Sequence, residues 1–135
     1  MSSQTIMLKL SSNPRNVALV ESFVEKVIQR YKVSPDLYGD ILISLTEAVN
    51  NAIIHGNGND ESKSVQIHCQ QRANAISFSV SDEGRGFDPR SLPDPTSPEN
   101  LLKVGGRGVF LMRELSDELH FSNNGRTVEM SFRIR

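Results

Sequence analysis

Residues 47–55 read EAVNNAIIH, and this stretch holds the most informative pattern in the chain. At about 100° per residue in a helix, its apolar side chains gather on one side. The opposite side carries three polar side chains between two isoleucines: Glu47, Asn50 and Asn51 between Ile43 and Ile54. A solvated helix face seldom has this composition, so the pattern predicts a helix covered on two sides, with polar groups facing an enclosed site.

The composition excludes several classes of function. The chain has 135 residues, 15 basic and 16 acidic, with a net charge of -1. Its interspersed charges form no basic stripe, so we expect no direct binding to nucleic acid or to a membrane surface. The length suits a single domain, 1–135. The lone Cys69 excludes an intrachain disulfide, and the absence of a long apolar run or a signal-peptide pattern favours a cytoplasmic protein.

The hydrophobic periodicity predicts an α+β fold. Alternating apolar residues predict strands at 5–10, 65–69, 76–80, 119–121 and 128–134, with tight turns at 72–74 and 123–125. Apolar residues at three- and four-residue steps predict helices over 14–31, 35–55 and 109–115. The strands have polar outer faces, which predicts a two-layer sandwich with a mixed, mostly antiparallel sheet and helices on one face. We expect Met7, Met112 and Met130 to fill the core.

A proline-rich stretch separates the third predicted strand from the third predicted helix. Residues 88–104 contain four prolines, and such a segment sustains neither a helix nor a central strand. A connection of this length inside a compact domain is more often a functional lid than plain filler. We therefore predict a surface loop that acts as a lid over a site.

Two further groups of residues point to the same site as Glu47 and Asn51. Asp82 continues the inward parity of the 76–80 strand, and the glycines at 105–108 precede a helix, where backbone N–H groups favour anions. Together these groups describe a nucleotide pocket, with an acceptor for a base amine, an amide oxygen for a hard cation and donors for phosphates. Standard phosphate-binding motifs are absent, since Leu111 stands where G-x-G-x-x-G requires glycine.

These motifs resemble those of the GHKL ATPase superfamily of gyrase, Hsp90, histidine kinases and MutL. Residues 47–55 look like its N-box, E-A-x-x-N-A-x-x-H; residues 82–87, DEGRGF, look like its D-x-G-x-G box; residues 105–112, GGRGVFLM, look like its second glycine box. The nearest likeness is to bacterial anti-sigma factor serine/threonine kinases, and it covers nearly the whole chain. It implies a Bergerat-type fold with ATP and Mg²⁺ between the 35–56 helix and the sheet, under an ATP lid at 88–104.

The resemblance also implies a role for each matching residue. Glu47 is the expected general base, Asn51 the Mg²⁺ ligand and Asp82 the acceptor for the adenine amine. The other expected nucleotide contacts lie in the glycine boxes and on the last strand: Gly84, Gly86, Gly105, Gly106, Arg107, Gly108, Val109 and Thr127. Arg107 is expected near the terminal phosphate. Thr127 is the weakest match, because alternation turns it away from the site if Val128 points inward, unless a bulge intervenes.

By the same resemblance, the chain is expected to be an ATP-dependent protein serine/threonine kinase that acts as an anti-sigma regulatory factor. Its substrate would be a serine of an anti-anti-sigma (STAS-type) protein, and a homodimer would sequester an RNA polymerase sigma factor. Two alternatives are a non-catalytic, nucleotide-gated switch that binds a partner and a stand-alone histidine-kinase-like ATP-binding domain. Glu47 favours catalysis over the switch. No dimerisation helix pair with a phosphoacceptor histidine precedes the N-box, which argues against the histidine kinase.

Overall fold

A computed structural model of the chain describes residues 5–84 and 106–134. The strands in these ranges are β1 (Ile6–Ser11), β2 (Ser64–Arg72), β3 (Ala75–Ser81), β4 (Glu118–Ser122) and β5 (Thr127–Arg133). The α-helices are α1 (Ala18–Tyr31), α2 (Tyr38–Asn51) and α3 (Gly106–Leu115). Every predicted strand and helix is present, with α3 beginning three residues earlier than expected. The proposed lid at 88–104 lies outside the described residues.

Short 3-10 turns with side-chain caps precede the two long helices. The turn Pro14–Val17 leads into α1, and the Asn13 side chain accepts a hydrogen bond from the Arg15 N–H at 2.9 Å. The turn Pro35–Leu37 leads into α2, and Ser34 Oγ accepts from the Asp36 N–H at 3.2 Å. Proline is favoured at such a first position because its missing N–H has no helical partner there. The cap and proline signals therefore placed both helix starts correctly.

The sheet has the strand order β1-β2-β3-β5-β4, and each of these pairings is antiparallel. Its register aligns inward-facing apolar residues across all five strands, in a row formed by Leu8, Ile67, Val80, Val128 and Phe121. The opposite face carries paired hydroxyl groups, with 2.9 Å between Ser77 Oγ and Ser131 Oγ. The predicted mostly antiparallel sheet, with one apolar and one polar face, is confirmed.

The hydrophobic core lies between the apolar face of the sheet and the helices. Its largest fully buried side chains come from both layers and include Val24, Ile41, Leu45, Ile67, Phe78, Met130 and Phe132. The rings of Phe78 and Phe132 meet edge to face, with 6.0 Å between their centroids, a favourable arrangement for aromatic pairs. The core fixes the face that α2 turns toward the sheet, so it also fixes the direction of its polar side chains.

The single cysteine is a core residue, as expected. Burial raises the pKa of the Cys69 thiol to about 12, which keeps it protonated and unreactive. Met112 and Met130 are buried, but Met7 is 60% exposed, so its assignment to the core was wrong. Met7 lies one position out of phase with Ile6 and Leu8, on the polar face of β1. No helix in the described ranges is long and apolar enough to cross a membrane.

Candidate functional site

Glu47 and Asn51 lie one helical turn apart on α2, and both are half-buried. The opposite side of α2 is anchored by Leu45 and Val49, which are fully buried in the core. This packing holds the carboxylate and the amide on one face. The predicted cover on both sides of this polar face is only partly present, because Ile54 is half-buried whereas Ile43 is 46% exposed.

The first turn of α3 lies directly against this acid–amide pair. A Cβ atom added to the buried Gly108 would lie 3.0 Å from Asn51 Nδ2, 3.4 Å from Glu47 Oε2 and 3.5 Å from Asn51 Oδ1. The glycine therefore permits an approach that a larger residue would obstruct. A helix N-terminus offers unpaired N–H groups and the positive end of the helix dipole. The structure thus brings Glu47, Asn51 and a potential phosphate-binding helix end together.

A π-helical turn, Ala52–Gly56, continues α2 toward the strand that carries Asp82. It is closed by a hydrogen bond from the Asn57 N–H to the Ala52 carbonyl at 2.8 Å. Such turns are rare and are found frequently at functional sites. A Cβ atom added to Gly56 would collide with the Asp82 carboxyl group, and one added to Gly84 would collide with the Gly56 carbonyl. Asp82 therefore sits directly on the end of the same helix that carries Glu47 and Asn51.

Asp82 is a half-buried carboxyl group held in a tight turn after β3. Its Oδ1 accepts a hydrogen bond from the Gly84 N–H at 2.8 Å, and its own N–H donates to the Arg126 carbonyl at 2.9 Å. Burial raises the pKa of Asp82 above its ordinary value, while the Gly84 N–H and the charges of Arg126 and Lys63 act in the opposite direction. Within the described part of the chain, Asp82 Oδ2 has no hydrogen-bond donor, so it is suited to accept one from a ligand amine.

A buried asparagine that sequence reasoning missed connects the elements around Asp82. Asn57 Nδ2 donates to Ser12 Oγ at 2.7 Å and to the Ser64 carbonyl at 3.0 Å, and Asn57 Oδ1 accepts from the Glu83 N–H at 2.7 Å. The sequence pattern predicts a helix that ends at residue 55 and indicates no role for Asn57. Asn57 belongs to no periodic segment, so only its long-range contacts show that it links the π turn to β1, β2 and the Asp82 turn.

Arg126 was also missed, because it follows a predicted hairpin turn and precedes the last strand. Its Nε donates to the Gly84 carbonyl at 2.8 Å, which places its side chain at the Asp82 end of the site. Val109 packs in the core and is only 4% exposed, so its side chain is not available to a ligand, and its expected nucleotide contact stays a prediction. His55 lies exposed on the π turn.

The structure does not bring Thr127 to the site. Val128 is 7% exposed and faces the core, so Thr127 faces the opposite side of the sheet. Its Oγ1 is 3.0 Å from Ser81 Oγ and accepts from Asn123 Nδ2 at 3.0 Å. The register of β5 contains no bulge that would turn Thr127 inward, so its orientation does not favour the expected nucleotide contact, which stays a prediction.

The glycine boxes are only partly described. Gly106 and Arg107 form the beginning of α3. Gly86 and Gly105 lie outside the described residues, so their expected nucleotide contacts stay predictions. The described residues place Gly108 against Glu47 and Asn51 on α2, and Asp82 against the π turn that continues α2.

A sequence model of the histidine kinase-like ATPase domain matches residues 10–132. The chain belongs to this family. Two proteins similar to this chain are each named serine-protein kinase RsbW. That of Bacillus subtilis is 29% identical over 133 residues, which is 93% of this chain and 83% of the relative. That of Oceanobacillus iheyensis is 26% identical over 124 residues, 87% of this chain and 78% of the relative.

A solved structure supports the fold of the histidine kinase-like ATPase domain. The crystal structure of the RsbU and RsbW domains of Rv1364c from Mycobacterium tuberculosis superposes with a TM-score of 0.65 at 14% identity, covering 98% of this chain and 32% of that one. The predicted GHKL-type fold is confirmed by the family match and by this likeness. The relatives also carry, in their names, the serine-kinase activity that the sequence resemblance implied.

The site fits a nucleotide better than a metal held by protein ligands alone. In residues 5–84 and 106–134, no three His, Cys, Asp or Glu side chains come together as a metal site. A carboxylate and an amide oxygen beside a helix N-terminus nevertheless suit a hard cation that takes further ligands from phosphates and water, as Mg²⁺ usually does. Glu47 and Asn51 lie beside the first turn of α3, since a Cβ atom on Gly108 would approach both side chains.

Proposed function

We propose that this chain is an ATP-dependent protein serine kinase with an anti-sigma function in the cytoplasm. Its substrate would be a serine of a small anti-anti-sigma (STAS-type) protein, and its homodimer would sequester an RNA polymerase sigma factor. The observation that carries the proposal is the close approach of Gly108 to Glu47 and Asn51, which joins a helix N-terminus, a carboxylate and an amide at one point. The family match and the named kinase relatives support the reaction type.

Binding would use both ends of the site. Asp82 Oδ2 would accept a hydrogen bond from the amine of adenine. Selectivity for adenine would come from the fixed position of this carboxyl group against Gly56 and Gly84. The N–H groups in the first turn of α3 would bind the phosphates. Asn51 Oδ1 would hold Mg²⁺. When bound, ATP supplies the phosphoryl group and Mg²⁺ neutralises its charge, so the protein contributes mainly positioning and electrostatic stabilisation.

Glu47 would act on the incoming hydroxyl group. In the proposed step its carboxylate takes the proton of the substrate serine while the serine oxygen forms a bond to the terminal phosphorus and the bond to the leaving ADP breaks. The core packing of α2 holds Glu47 on the same face as Asn51, one turn away, so the base lies close to the proposed cation. This geometry would keep the proton acceptor beside the group that is transferred.

The proposal is tested by phosphoryl transfer to the STAS proteins of the source organism. Labelled ATP should yield phosphoserine with the wild-type chain. We expect Glu47→Gln to bind ATP like wild type but to lose transfer by about 10²–10⁴-fold, the usual contribution of a general base. Glu114→Gln, at an exposed position of α3, is a matched control that should transfer normally. ATP binding without transfer to any STAS protein would contradict the kinase proposal and favour the nucleotide-gated switch.

A further inference from the structure

Arg126 contacts the Asp82 turn with both its backbone and its side chain. Its carbonyl accepts from the Asp82 N–H at 2.9 Å, and its Nε donates to the Gly84 carbonyl at 2.8 Å. A further hydrogen bond runs from Arg126 Nη1 to the Asn123 carbonyl at 3.4 Å. The half-buried arginine is thus fixed on both sides, to the turn between β4 and β5 and to the turn after β3. These contacts hold the Asp82 turn to the first residues of β5.

The charge of Arg126 also acts on the Asp82 carboxyl group. The close approach of Gly56 removes solvent from Asp82, and burial raises the pKa of Asp82. Arg126 and Lys63 are the cations in the described ranges that lower this pKa, and Arg126 is the stronger of the two. The neighbouring Glu83 is turned away, because its carboxylate accepts from the Ser64 N–H at 2.5 Å. Arg126 therefore offsets part of the cost of keeping a charge at this buried position.

We propose that Arg126 determines base selectivity by positioning the Asp82 turn and balancing the charge of its carboxylate. This inference rests on the proposed nucleotide site. An ionised carboxylate accepts a hydrogen bond from the amine of adenine and repels the carbonyl oxygen that guanine presents at the same ring position. A protonated carboxyl group can donate to that oxygen. Removal of Arg126 should therefore weaken ATP binding and reduce the discrimination against GTP.

The test compares three variants with the wild-type chain. Arg126→Met removes both the positive charge and the hydrogen-bond donors of the guanidinium group. Arg126→Lys keeps the charge but lacks the Nε–H that donates to the Gly84 carbonyl. Arg72→Met is the control, because Arg72 forms an exposed ion pair of 3.4 Å with Glu129 at the other end of the sheet. Arg72 pairs with Ala75 in the sheet, so it lies about 20 Å from Asp82 along the strands. Unfolding midpoints establish that each variant is folded.

Two measurements separate a selective role from a purely structural one. The first is the NMR titration of the Asp82 carboxyl carbon without nucleotide, and the second is the affinity for ATP and for GTP between pH 5 and 8. We expect Arg126→Met to raise the titration midpoint of Asp82, because the favourable positive charge beside the carboxylate is gone. We also expect its ATP affinity to fall about tenfold because the Asp82 turn is no longer held in place, with a smaller loss for GTP, and we expect the ATP/GTP ratio to fall further toward pH 5, where more of Asp82 is protonated. Arg126→Lys should restore the titration midpoint, and Arg72→Met should match wild type.

The outcomes distinguish this inference from the proposed function. If wild type and Arg72→Met bind no ATP at any pH, both proposals are overturned. If wild type binds ATP but Arg126→Met leaves the Asp82 titration and the ATP/GTP ratio unchanged, only the role of Arg126 is overturned. If Arg126→Lys shifts the titration as much as Arg126→Met, the role assigned to its charge is wrong.

Discussion

Gly108 is a residue at which a small change should affect the site while leaving the fold intact. Replacing a helical glycine with alanine normally stabilises a helix, by about 0.5–1 kcal/mol. In Gly108→Ala, the new methyl group would press on Asn51 Nδ2 at 3.0 Å and on Glu47 Oε2 at 3.4 Å. We expect ATP affinity to fall about tenfold, a free energy of about 1.4 kcal/mol, with little change in the free energy of unfolding. Calorimetric ATP titration and urea unfolding measure the two quantities.

Gly39 is the matched control for this prediction, because it is a helical glycine of α2 with no atom within 4 Å of an added Cβ. Gly39→Ala should raise the free energy of unfolding by about 0.5 kcal/mol and leave ATP affinity unchanged. If Gly108→Ala binds ATP as tightly as Gly39→Ala does, the approach of α3 to the acid–amide pair has no functional importance.

At the scale of the elements, Asn57 connects the π turn to the turn that carries Asp82. Its amide bonds Ser12 just after β1, Ser64 of β2 and Glu83 in the turn after β3, so Asn57→Ala takes a hydrogen-bond partner from each of these three groups. Because each such group costs about 1–3 kcal/mol, we expect the free energy of unfolding to fall by about 2–4 kcal/mol. The loss should appear as a lower midpoint in urea.

Asn74→Ala provides the comparison, since Asn74 is exposed in the turn between β2 and β3. Its free energy of unfolding should stay within about 0.5 kcal/mol of wild type. Equal unfolding midpoints for Asn57→Ala and Asn74→Ala would show that the buried amide network does not stabilise the fold.

The elements also show how far sequence reasoning extends. Strands and helices were predictable, because periodicity and caps are local signals, and the parity of the β3 strand correctly brought Asp82 to the helix-covered side. The pairing of Glu47 with Asn51 followed from helical spacing alone. The π turn, Asn57 and Arg126 were not predictable, since each depends on contacts between segments distant in sequence. For Thr127, the local alternation already argued against the role that the family resemblance implied, and the observed orientation follows the alternation.

At the scale of the whole molecule, nucleotide binding should couple to stability. A ligand that binds only the folded state at 100 times its dissociation constant adds about 2.7 kcal/mol to the free energy of unfolding. We expect Mg²⁺ and ATP together to raise the unfolding temperature, and EDTA to remove most of that increase. In Asn51→Ala we expect no Mg²⁺-dependent increase, because the proposed amide ligand is gone.

Asn50→Ala is a suitable comparison, since Asn50 is the adjacent half-buried amide of α2 and has no assigned role. It should keep the Mg²⁺-dependent increase in unfolding temperature. An undiminished increase in Asn51→Ala would remove Asn51 from the cation site while leaving ATP binding itself in place.

The close packing of Gly56, Gly84 and Asp82 has an evolutionary consequence. Any side chain at position 56 collides with the Asp82 carboxyl group, and any side chain at position 84 collides with the Gly56 backbone. Single substitutions at either glycine therefore damage the fold and the acceptor at once. A descendant of this protein can exchange these glycines only after Asp82 has been replaced or its turn has moved. The residues at positions 56, 82 and 84 should therefore be conserved together, and steric overlap sets the order in which they can be replaced.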